Sequence, residues 1–235
     1  MTTGIRENKY GQQIGFELGG WQEPNIPPHA TLTGRHCRLE PLDAQTHASE
    51  LFAAFNEDAL WTYLAYGPFD SAESYASWID GNTAGKDPLF YAIVDSKTRI
   101  AVGVASFLRI KPNEGVIEVG HIVFSPQLRR TPAATESMYL MMRHIFDDLG
   151  YRRYEWKCDA LNAASRRAAE RLGFTSEGVF RQATVYKGRN RDTAWYSILD
   201  REWPDRKKAF EAWLNPTNFD ENDKQRQRLK ELPKS

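Results

Sequence analysis

The stretch SPQLRRTPAATESMYLMM, from Ser125 to Met142, decides how this chain folds. An apolar strand pattern ends at its start, and Met138 and Met142 lie on the buried stripe of a helix within it. A strand that passes through a short loop into a helix directs backbone N–H groups and the positive end of the helix dipole at the loop. Arg129 and Arg130 would add charge-assisted contacts, so the stretch is suited to an anion such as a phosphate.

The same stretch also fits an ordinary helix start. Thr131 is a good N-cap, and Pro132 fits the first helical position because the N–H group that proline lacks would have no helical partner there. The loop contains no glycine, the residue that usually lets a backbone approach a phosphate closely. The stretch alone therefore leaves a phosphate cradle and a plain helix cap both open.

Strand and helix patterns alternate on both sides of this stretch. From Gly34 onward they predict the order β-α-α-β-β-β-α-β-α-β-β-α. The predicted strands are 35–42, 89–95, 100–110, 115–124, 152–159, 174–186 and 192–199. The predicted helices are 43–56, 71–79, 133–149, 162–172 and 203–214.

A helical crossover joins the strands 115–124 and 152–159, so these two are expected to lie parallel in a mixed, mainly antiparallel sheet. The crevice between the carboxyl ends of such strands is a natural ligand site. Residues 1–33 are polar and aperiodic and are predicted to form an arm over the domain. The domain itself is predicted to span 34–202, followed by a helical tail over 203–235.

The bulk composition narrows the class of protein. The 235 residues include 31 Lys+Arg and 31 Asp+Glu, and this balance disfavours nucleic-acid binding. The longest apolar run, Ile100 to Leu108, is far shorter than the roughly 18 residues of a membrane span. Cys37 and Cys158 are typical of buried reduced thiols and give no metal spacing. The N terminus has no secretory pattern, so we expect a soluble cytoplasmic protein with no metal and no membrane or nucleic-acid partner.

The segment NAASRRAAERLGF, Asn162 to Phe174, follows the second parallel strand. Together with IEVGHIVFSP and the helix start AATE, it resembles the GNAT superfamily of acyl-CoA-dependent N-acetyltransferases. Within that superfamily it resembles the branch of the ribosomal-protein N-terminal acetyltransferases, and the match in strand order covers 35 to about 199. The resemblance implies an α/β (α+β) fold with a mixed, mainly antiparallel sheet, flanking helices and a central acyl-CoA cleft.

The resemblance also implies which residues hold coenzyme A. The family's pyrophosphate loop corresponds to 129–134, with Arg129 and Arg130 at its start and Pro132 in place of its first glycine. Proline has no N–H group, so the binding amides would be those of Thr131, Ala133, Ala134 and Thr135. Asn162 matches an Asn that contacts the pantetheine arm, and Ser165 matches a Ser near the thiol sulfur.

Amide formation from a thioester needs a base for the amine and an acid for the leaving thiolate. Many family members carry a Tyr as this acid where the chain has Ala169, so the role would pass to Ser165 or a water. Glu118 lies mid-strand among apolar residues and is the first candidate for the base, acting through water. The alternative is a Glu that merely pairs with a nearby Arg.

His121 is the second candidate for the base, and a satisfied structural His is the alternative. Residues 118 and 121 point to opposite faces of a regular strand, although a bulge near Gly120 would bring them together. For the acceptor, Trp61 and Tyr66 could wall a slot or simply pack under their loop. Asp192, after the turn KGRNR, could attract an amine or be an ordinary surface carboxylate.

The sequence therefore predicts transfer of an acetyl group from acetyl-CoA to a primary amine, either a protein N terminus or a small amino compound. Two alternatives stay open: succinyl-CoA or another acyl donor, and a CoA-binding sensor or interaction module without turnover. Nothing in the residues decides whether a homodimer forms.

Overall fold

The computed structural model describes residues 4–221 and 224–232, and from Cys37 onward its strands and α-helices follow the predicted order. Three short strands before Cys37 lie in the segment that was predicted to be aperiodic. The strands are β1 (Arg6–Glu7), β2 (Gln13–Ile14), β3 (Leu32–Thr33), β4 (Cys37–Pro41), β5 (Leu89–Asp95), β6 (Ala101–Lys111), β7 (Val116–Phe124), β8 (Arg153–Asp159), β9 (Thr175–Tyr186) and β10 (Arg189–Leu199). The α-helices are α1 (Ala44–Ala54), α2 (Ala72–Thr83), α3 (Pro132–Arg143), α4 (Ala163–Arg171) and α5 (Trp203–Leu214).

Eight of these strands form one sheet in the order β3-β4-β5-β6-β7-β8-β10-β9. Every neighbouring pair is antiparallel except β7 and β8, which are parallel because α3 carries the chain back between them. The predicted mixed, mainly antiparallel sheet is therefore confirmed, including its one parallel pair. β1 and β2 form a separate two-stranded ribbon in the N-terminal segment.

Alternate side chains of the middle strands are buried on opposite faces of the sheet. In β5, Tyr91 and Ile93 belong to the core that contains α3 and α5, whereas Phe90 and Ala92 belong to the core that contains α1 and α2. Side-chain caps hold these helices in place: the Asp43 side chain accepts from the Thr46 amide at α1, and Ser71 caps α2. Cys37 and Cys158 are free, buried thiols, as expected.

Glu136 of α3 joins the helix to the first strands of the sheet. Its buried carboxylate accepts hydrogen bonds from the backbone amides of Arg35 (2.9 Å), His36 (2.5 Å) and Cys37 (2.9 Å). A carboxylate that accepts several N–H bonds is well satisfied inside a protein. These bonds fix where α3 begins relative to β4, and so position the loop before α3.

Both terminal segments contact the sheet and its helices. Tyr151 donates to the Asn25 carbonyl oxygen (3.2 Å), and Nε2 of His29 donates to that of Phe90 (2.7 Å). Phe210 and Trp213 of α5 are buried in the same core as α3. No helix among the described residues is long and apolar enough to cross a membrane.

Candidate active site

The parallel strands β7 and β8 separate halfway along their length. They pair from Val116 with Arg153 to Val119 with Trp156, and no further, although β7 continues to Phe124 and β8 to Asp159. A cavity of about 920 Å³ opens where they part. One side of the cavity is lined by the segment between α1 and α2, residues 55–71, which we call the aromatic loop. The β9–β10 hairpin lines another side. This is the crevice that the strand order predicted.

Two β-bulges aim side chains at this cavity. In β7, His121 and Ile122 lie opposite the single residue Ala105 of β6, and His121 has a φ of 51°. In β6, Arg109 adopts a φ of 48° at a second register shift. Asp87 stabilises this second bulge, since its carboxylate accepts from the amides of Arg109 (2.9 Å) and of the next residue (3.0 Å). Bulges of this kind redirect side chains next to functional sites.

Glu118 lies at the floor of the cavity and is only 3 % exposed. Nη1 of Arg109 donates to both of its carboxylate oxygens, at 2.8 Å each, and Nζ of Lys157 lies 2.8 Å from Oε2. The pairing of Glu118 with an arginine, one alternative from the sequence, is therefore present. The lysine is a second partner that the sequence analysis did not single out.

The ion pairs continue along β8. Lys157 also contacts Glu155 at 2.7 Å, and Arg153 pairs with Glu155 at 2.7 Å and with Glu177 of β9. Burial by itself would raise the pKa of Glu155, but hydrogen bonds from Lys157 and Arg153 outweigh it and hold this pKa below its usual range. Nζ of Lys157 lies 3.8 Å from the ring centroid of Trp195, which covers this alternating row of charges.

His121 and Tyr66 meet in another part of the cavity lining. Their Nδ1 and hydroxyl oxygen lie 3.3 Å apart, and the Tyr66 ring is stacked between His121 and Trp78. Burial, and next the charge of Arg109, lower the pKa of His121 to about 4, so it is neutral at pH 7. Burial also raises the pKa of Tyr66, which stays a phenol. The bulge thus places His121 and Glu118 on the same cavity despite their spacing.

Trp61, in contrast, lies in the core beneath the loop. It is 4 % exposed and packs edge-on against Phe55, Phe69 and Tyr75, so it does not line the cavity. Tyr63 lines the cavity in its place and donates to the Leu161 carbonyl oxygen (3.2 Å), which closes one end of the opening. The structure thus gives Trp61 the packing position that the sequence analysis held as its alternative.

Asn162 and Ser165 line the cavity at the end of β8. Oδ1 of Asn162 caps α4 by accepting from the Ser165 amide (3.0 Å), which leaves the NH₂ group of this side chain able to donate. The Ser165 hydroxyl accepts from Nε1 of Trp156 (2.9 Å) and can still donate its own proton. Ala169 is fully buried and carries no polar group.

The start of α3 lies outside the lining of this cavity. Thr131 caps the helix, since its Oγ1 accepts from the Ala134 amide (3.2 Å), and its own amide donates to the Leu128 carbonyl oxygen (3.3 Å). Two of the four amides expected to bind phosphate therefore have partners within the loop. Thr135 Oγ1 accepts from Nη2 of Arg171 (3.1 Å), an arginine that the sequence analysis did not single out.

The two arginines before α3 differ in their surroundings. Arg129 donates to the Phe124 carbonyl oxygen (3.0 Å) and pairs with Glu57 (3.3 Å), so its guanidinium is directed at the end of β7. Arg130 is exposed and has a φ of 63°, so the chain turns sharply at this residue. Both arginines are exposed, and of the two only Arg129 forms an ion pair among the described residues.

Asp192 lies in β10 rather than after a turn, because the hairpin turn is only Lys187–Gly188 and β10 begins at Arg189. This corrects the predicted strand start at 192. Its Oδ1 accepts from the Gln182 amide (2.8 Å) and from Nδ2 of Asn190 (3.0 Å), and these bonds hold the pKa of Asp192 below its usual range. Asp192 stabilises a bulge of the hairpin and does not line the cavity.

The residues missed by the sequence analysis are mainly charged side chains inside strands. Arg153, Glu155 and Lys157 alternate along RYEWKCD, where the neighbouring Tyr154 and Trp156 are buried. Charges at these positions are expensive unless paired, so the pattern is a usable signal of a polar cavity floor. The pairing of Arg109 with Glu118 carries no such signal, because it depends on a bulge.

The chain matches known proteins over most of its length. Residues 36–175 match the model of the acetyltransferase (GNAT) domain. A solved GCN5-related N-acetyltransferase from Brucella melitensis is 47 % identical and superposes with a TM-score of 0.89, over 91 % of this chain and 98 % of that one. The Bacillus subtilis protein called uncharacterized N-acetyltransferase YoaA is 28 % identical over 155 residues, which are 65 % of this chain and 87 % of that one.

A more distant structure shares the fold. The microcin C7 self-immunity acetyltransferase MccE, solved in complex with acetyl-CoA and AMP, is 21 % identical, with a TM-score of 0.64 over 74 % of this chain and 98 % of that one. The family resemblance identified from the sequence is confirmed by the match of residues 36–175 to the family model. The chain belongs to the GNAT family of acetyltransferases and is an N-acetyltransferase, an enzyme of acyl transfer from acetyl-CoA.

Proposed function

We propose that the protein moves the acetyl group of acetyl-CoA to a primary amine in the cavity between β7 and β8. The observation that carries this proposal is the separation of the two strands after Val119 and Trp156. Beyond that point their facing backbone N–H and C=O groups no longer pair with each other. The pantetheine arm of CoA contains two amides, so it can form hydrogen bonds with these backbone groups in the way that an added β-strand does.

Polar groups suited to the rest of the donor flank this gap. Asn162 and Ser165 can donate to the arm and to the sulfur at the end of β8. The amide of Ala133, with Arg130 beside it, suits the pyrophosphate at the start of α3, whereas the Thr135 amide is placed to bond to the cap carbonyl of the helix. The Thr131 cap competes for the Ala134 amide, so phosphate binding there must displace one hydrogen bond.

The reaction assigned to the cavity forms one bond and breaks one bond. The amine nitrogen attacks the acetyl carbonyl carbon, the C–S bond breaks, and CoA leaves as a thiolate that takes a proton from Ser165 or a water. The proton lost by the amine passes to Glu118 through a water. His121, with a pKa of about 4, is a hydrogen-bonding group and only a weak base at pH 7.

The charges next to Glu118 give no support for a larger, acidic acyl group at the floor of the cavity. Arg109 and Lys157, the cations next to Glu118, are each paired with a carboxylate. They therefore offer no unpaired charge to the second carboxylate of a succinyl group. Glu118 and Ser165 line one cavity, which supports turnover rather than binding alone.

Two measurements test the proposal. Calorimetry should detect binding of acetyl-CoA and of CoA, and release of free thiol from acetyl-CoA should rise when a primary amine is added. Absence of binding at millimolar acetyl-CoA would overturn the assignment of the cavity. Binding without thiol release across a panel of peptides and small amines would favour the sensor.

A further inference from the structure

One cation in the cavity differs from the rest. The lining cations Arg109, Lys111, Arg153 and Lys157 each lie within 4.0 Å of a carboxylate. Arg191 of β10 also lines the cavity, but no ion pair among residues 4–221 and 224–232 includes it. A partly buried guanidinium without a counterion is costly unless something binds to it.

The contacts of Arg191 leave most of its donors available. Its Nε donates to Oγ1 of Thr193 (3.2 Å), and the guanidinium lies 6.0 Å from the ring centroid of Tyr186. A guanidinium has five N–H donors in a planar fork, so one bond to a hydroxyl uses little of this capacity. The Arg191 charge also acts to lower the pKa of Cys158 in the cavity wall, although burial of that thiol outweighs it.

The part of the hairpin that leads up to Arg191 is basic, and the carboxylate that follows it, Asp192, accepts hydrogen bonds from Gln182 and Asn190. The segment 181–191, RQATVYKGRNR, contains four cations and no acidic residue. Lys187 and Arg189 donate to the carbonyl oxygens of Trp61 (2.9 Å) and Thr62 (2.7 Å), which ties the hairpin to the aromatic loop across the cavity. The side chains of Lys187 and Arg189 are therefore hydrogen-bonded to the aromatic loop, whereas Arg191 lines the cavity.

Asp159, at the end of β8, is a carboxylate in the same cavity lining as Arg191. Its two oxygens accept from the Tyr186 hydroxyl (2.8 Å) and from the Leu161 amide (2.8 Å). Asp159 takes part in no ion pair of the described residues. Arg191 therefore keeps its charge without a carboxylate partner among the described residues, in the lining of the cavity.

We propose that Arg191 binds an anionic group, a carboxylate or a phosphate, on the amine acceptor. This inference rests on the proposed function and names the class of its acceptor: an amine that carries a negative charge elsewhere in the molecule. The planar guanidinium matches both anions through two parallel hydrogen bonds. The anion fixes the acceptor by its charged end and leaves its amine free to reach the acyl group.

Matched acceptor pairs provide the test. We would compare phosphoethanolamine with ethanolamine, and the peptide amide Ser-Asp-Ala with Ser-Asn-Ala, each with acetyl-CoA. The anionic member of at least one pair should have a kcat/KM larger by roughly tenfold or more, as for a hydrogen bond to a charged group. Which pair shows the preference separates a phosphate from a carboxylate source. Equal kcat/KM values within both pairs would overturn the proposal.

Variants of the hairpin show whether Arg191 is responsible. Arg191→Gln should reduce the ratio of the two kcat/KM values toward one, and Arg191→Lys, which keeps the charge without the fork, should retain part of it. Arg181→Gln is the matched control, because Arg181 lies on the same hairpin but outside the cavity. Loss of the Arg181 charge should leave the ratio of the two kcat/KM values unchanged. Equal loss for both members of a pair in Arg191→Gln would mean a structural role and overturn the proposal.

Two further measurements distinguish this role of Arg191 from the alternatives. If the anion belonged to the acyl group, Arg191→Gln would change the preference between succinyl-CoA and acetyl-CoA instead, and that result would also overturn the proposal. Calorimetry of phosphoethanolamine and the Ser-Asp-Ala amide into CoA-saturated protein tests acceptor binding without turnover. Failure of CoA itself to bind would contradict the proposed function, whereas CoA binding without binding of either anion contradicts only the role of Arg191.

Discussion

The start of α3 and the floor of the cavity are both assigned to acetyl-CoA chemistry, but they are built in opposite ways. At the start of α3 the cap, the proline and the amides lie within residues 131–135. At the floor, Arg109, Glu118 and Lys157 come from three different strands and meet only because the sheet folds and β6 bulges. A site built from consecutive residues can be predicted from the sequence, whereas a site assembled from distant strands cannot.

The difference also predicts how each region responds to change. A helix cap contributes about 1 kcal/mol and can be lost alone. Buried charges depend on one another, because removal of one leaves its partner without compensation in a dry site. We therefore expect large, coupled effects at the cavity floor and small, separable ones at α3.

The largest effect should come from Lys157→Met. It removes the cation that lies between the buried carboxylates of Glu118 and Glu155. The free energy of unfolding should fall by about 3–5 kcal/mol, measured by urea denaturation. The control Lys111→Met removes an exposed cation paired with Glu114 and should cost less than about 1 kcal/mol. Equal losses in the two variants would show that the buried charges do not depend on one another.

Glu118→Gln should act on the rate. If Glu118 takes the proton of the amine, kcat should fall by about 10²-fold or more, while acetyl-CoA binding measured by calorimetry changes little. Glu155→Gln is the matched control, because Glu155 contacts the same lysine and is assigned no proton transfer. An equal fall of kcat in both variants would assign the effect to the charge network rather than to a base.

His121 should make the stability depend on pH. Its folded pKa of about 4 lies below the ordinary value of 6.5, so the unfolded chain binds a proton first as the pH falls. The free energy of unfolding should therefore decrease between pH 6.5 and pH 4, by roughly 2 kcal/mol from this group. His121→Asn should flatten the curve in that window. An unchanged curve would mean that other groups set the pH dependence.

The elements of the fold were predictable because their signals are local. Asp43 and Ser71 mark helix starts, and polar segments of the sequence separate the successive strands β5, β6 and β7. The crossover through α3 was enough to predict the parallel pair β7 and β8 and the crevice between them. These inferences need only periodicity, caps and the handedness of connections.

The side chains at the site were predictable only in part. Glu118 and Ser165 do line the cavity, whereas Trp61 packs in the core, because nothing local distinguishes an aromatic wall from aromatic packing. Asp192 was placed after a turn because the sequence does not reveal that the hairpin turn is only two residues long. Arg191 could be singled out only from the structure, because there Arg109, Lys111, Arg153 and Lys157 each have a carboxylate partner and Arg191 has none among the described residues.

The smallest effect should come from Thr131→Ala, and it has two opposite parts. Loss of the hydroxyl that caps the Ala134 amide should lower the free energy of unfolding by about 1 kcal/mol. The same change frees that amide for a phosphate, so acetyl-CoA binding should tighten, by about fivefold at most if the whole cap energy is recovered. Urea denaturation and calorimetry measure the two parts separately.

Asp43→Ala is the control for this last change, since Asp43 caps α1 far from the loop before α3 in the same way. It should cost a similar free energy of unfolding and leave acetyl-CoA affinity as it is. Weaker acetyl-CoA binding in Thr131→Ala alone would mean that the Thr131 hydroxyl contacts the ligand. The start of α3 would then be a binding site in its own right, because its cap would serve the ligand instead of competing with it.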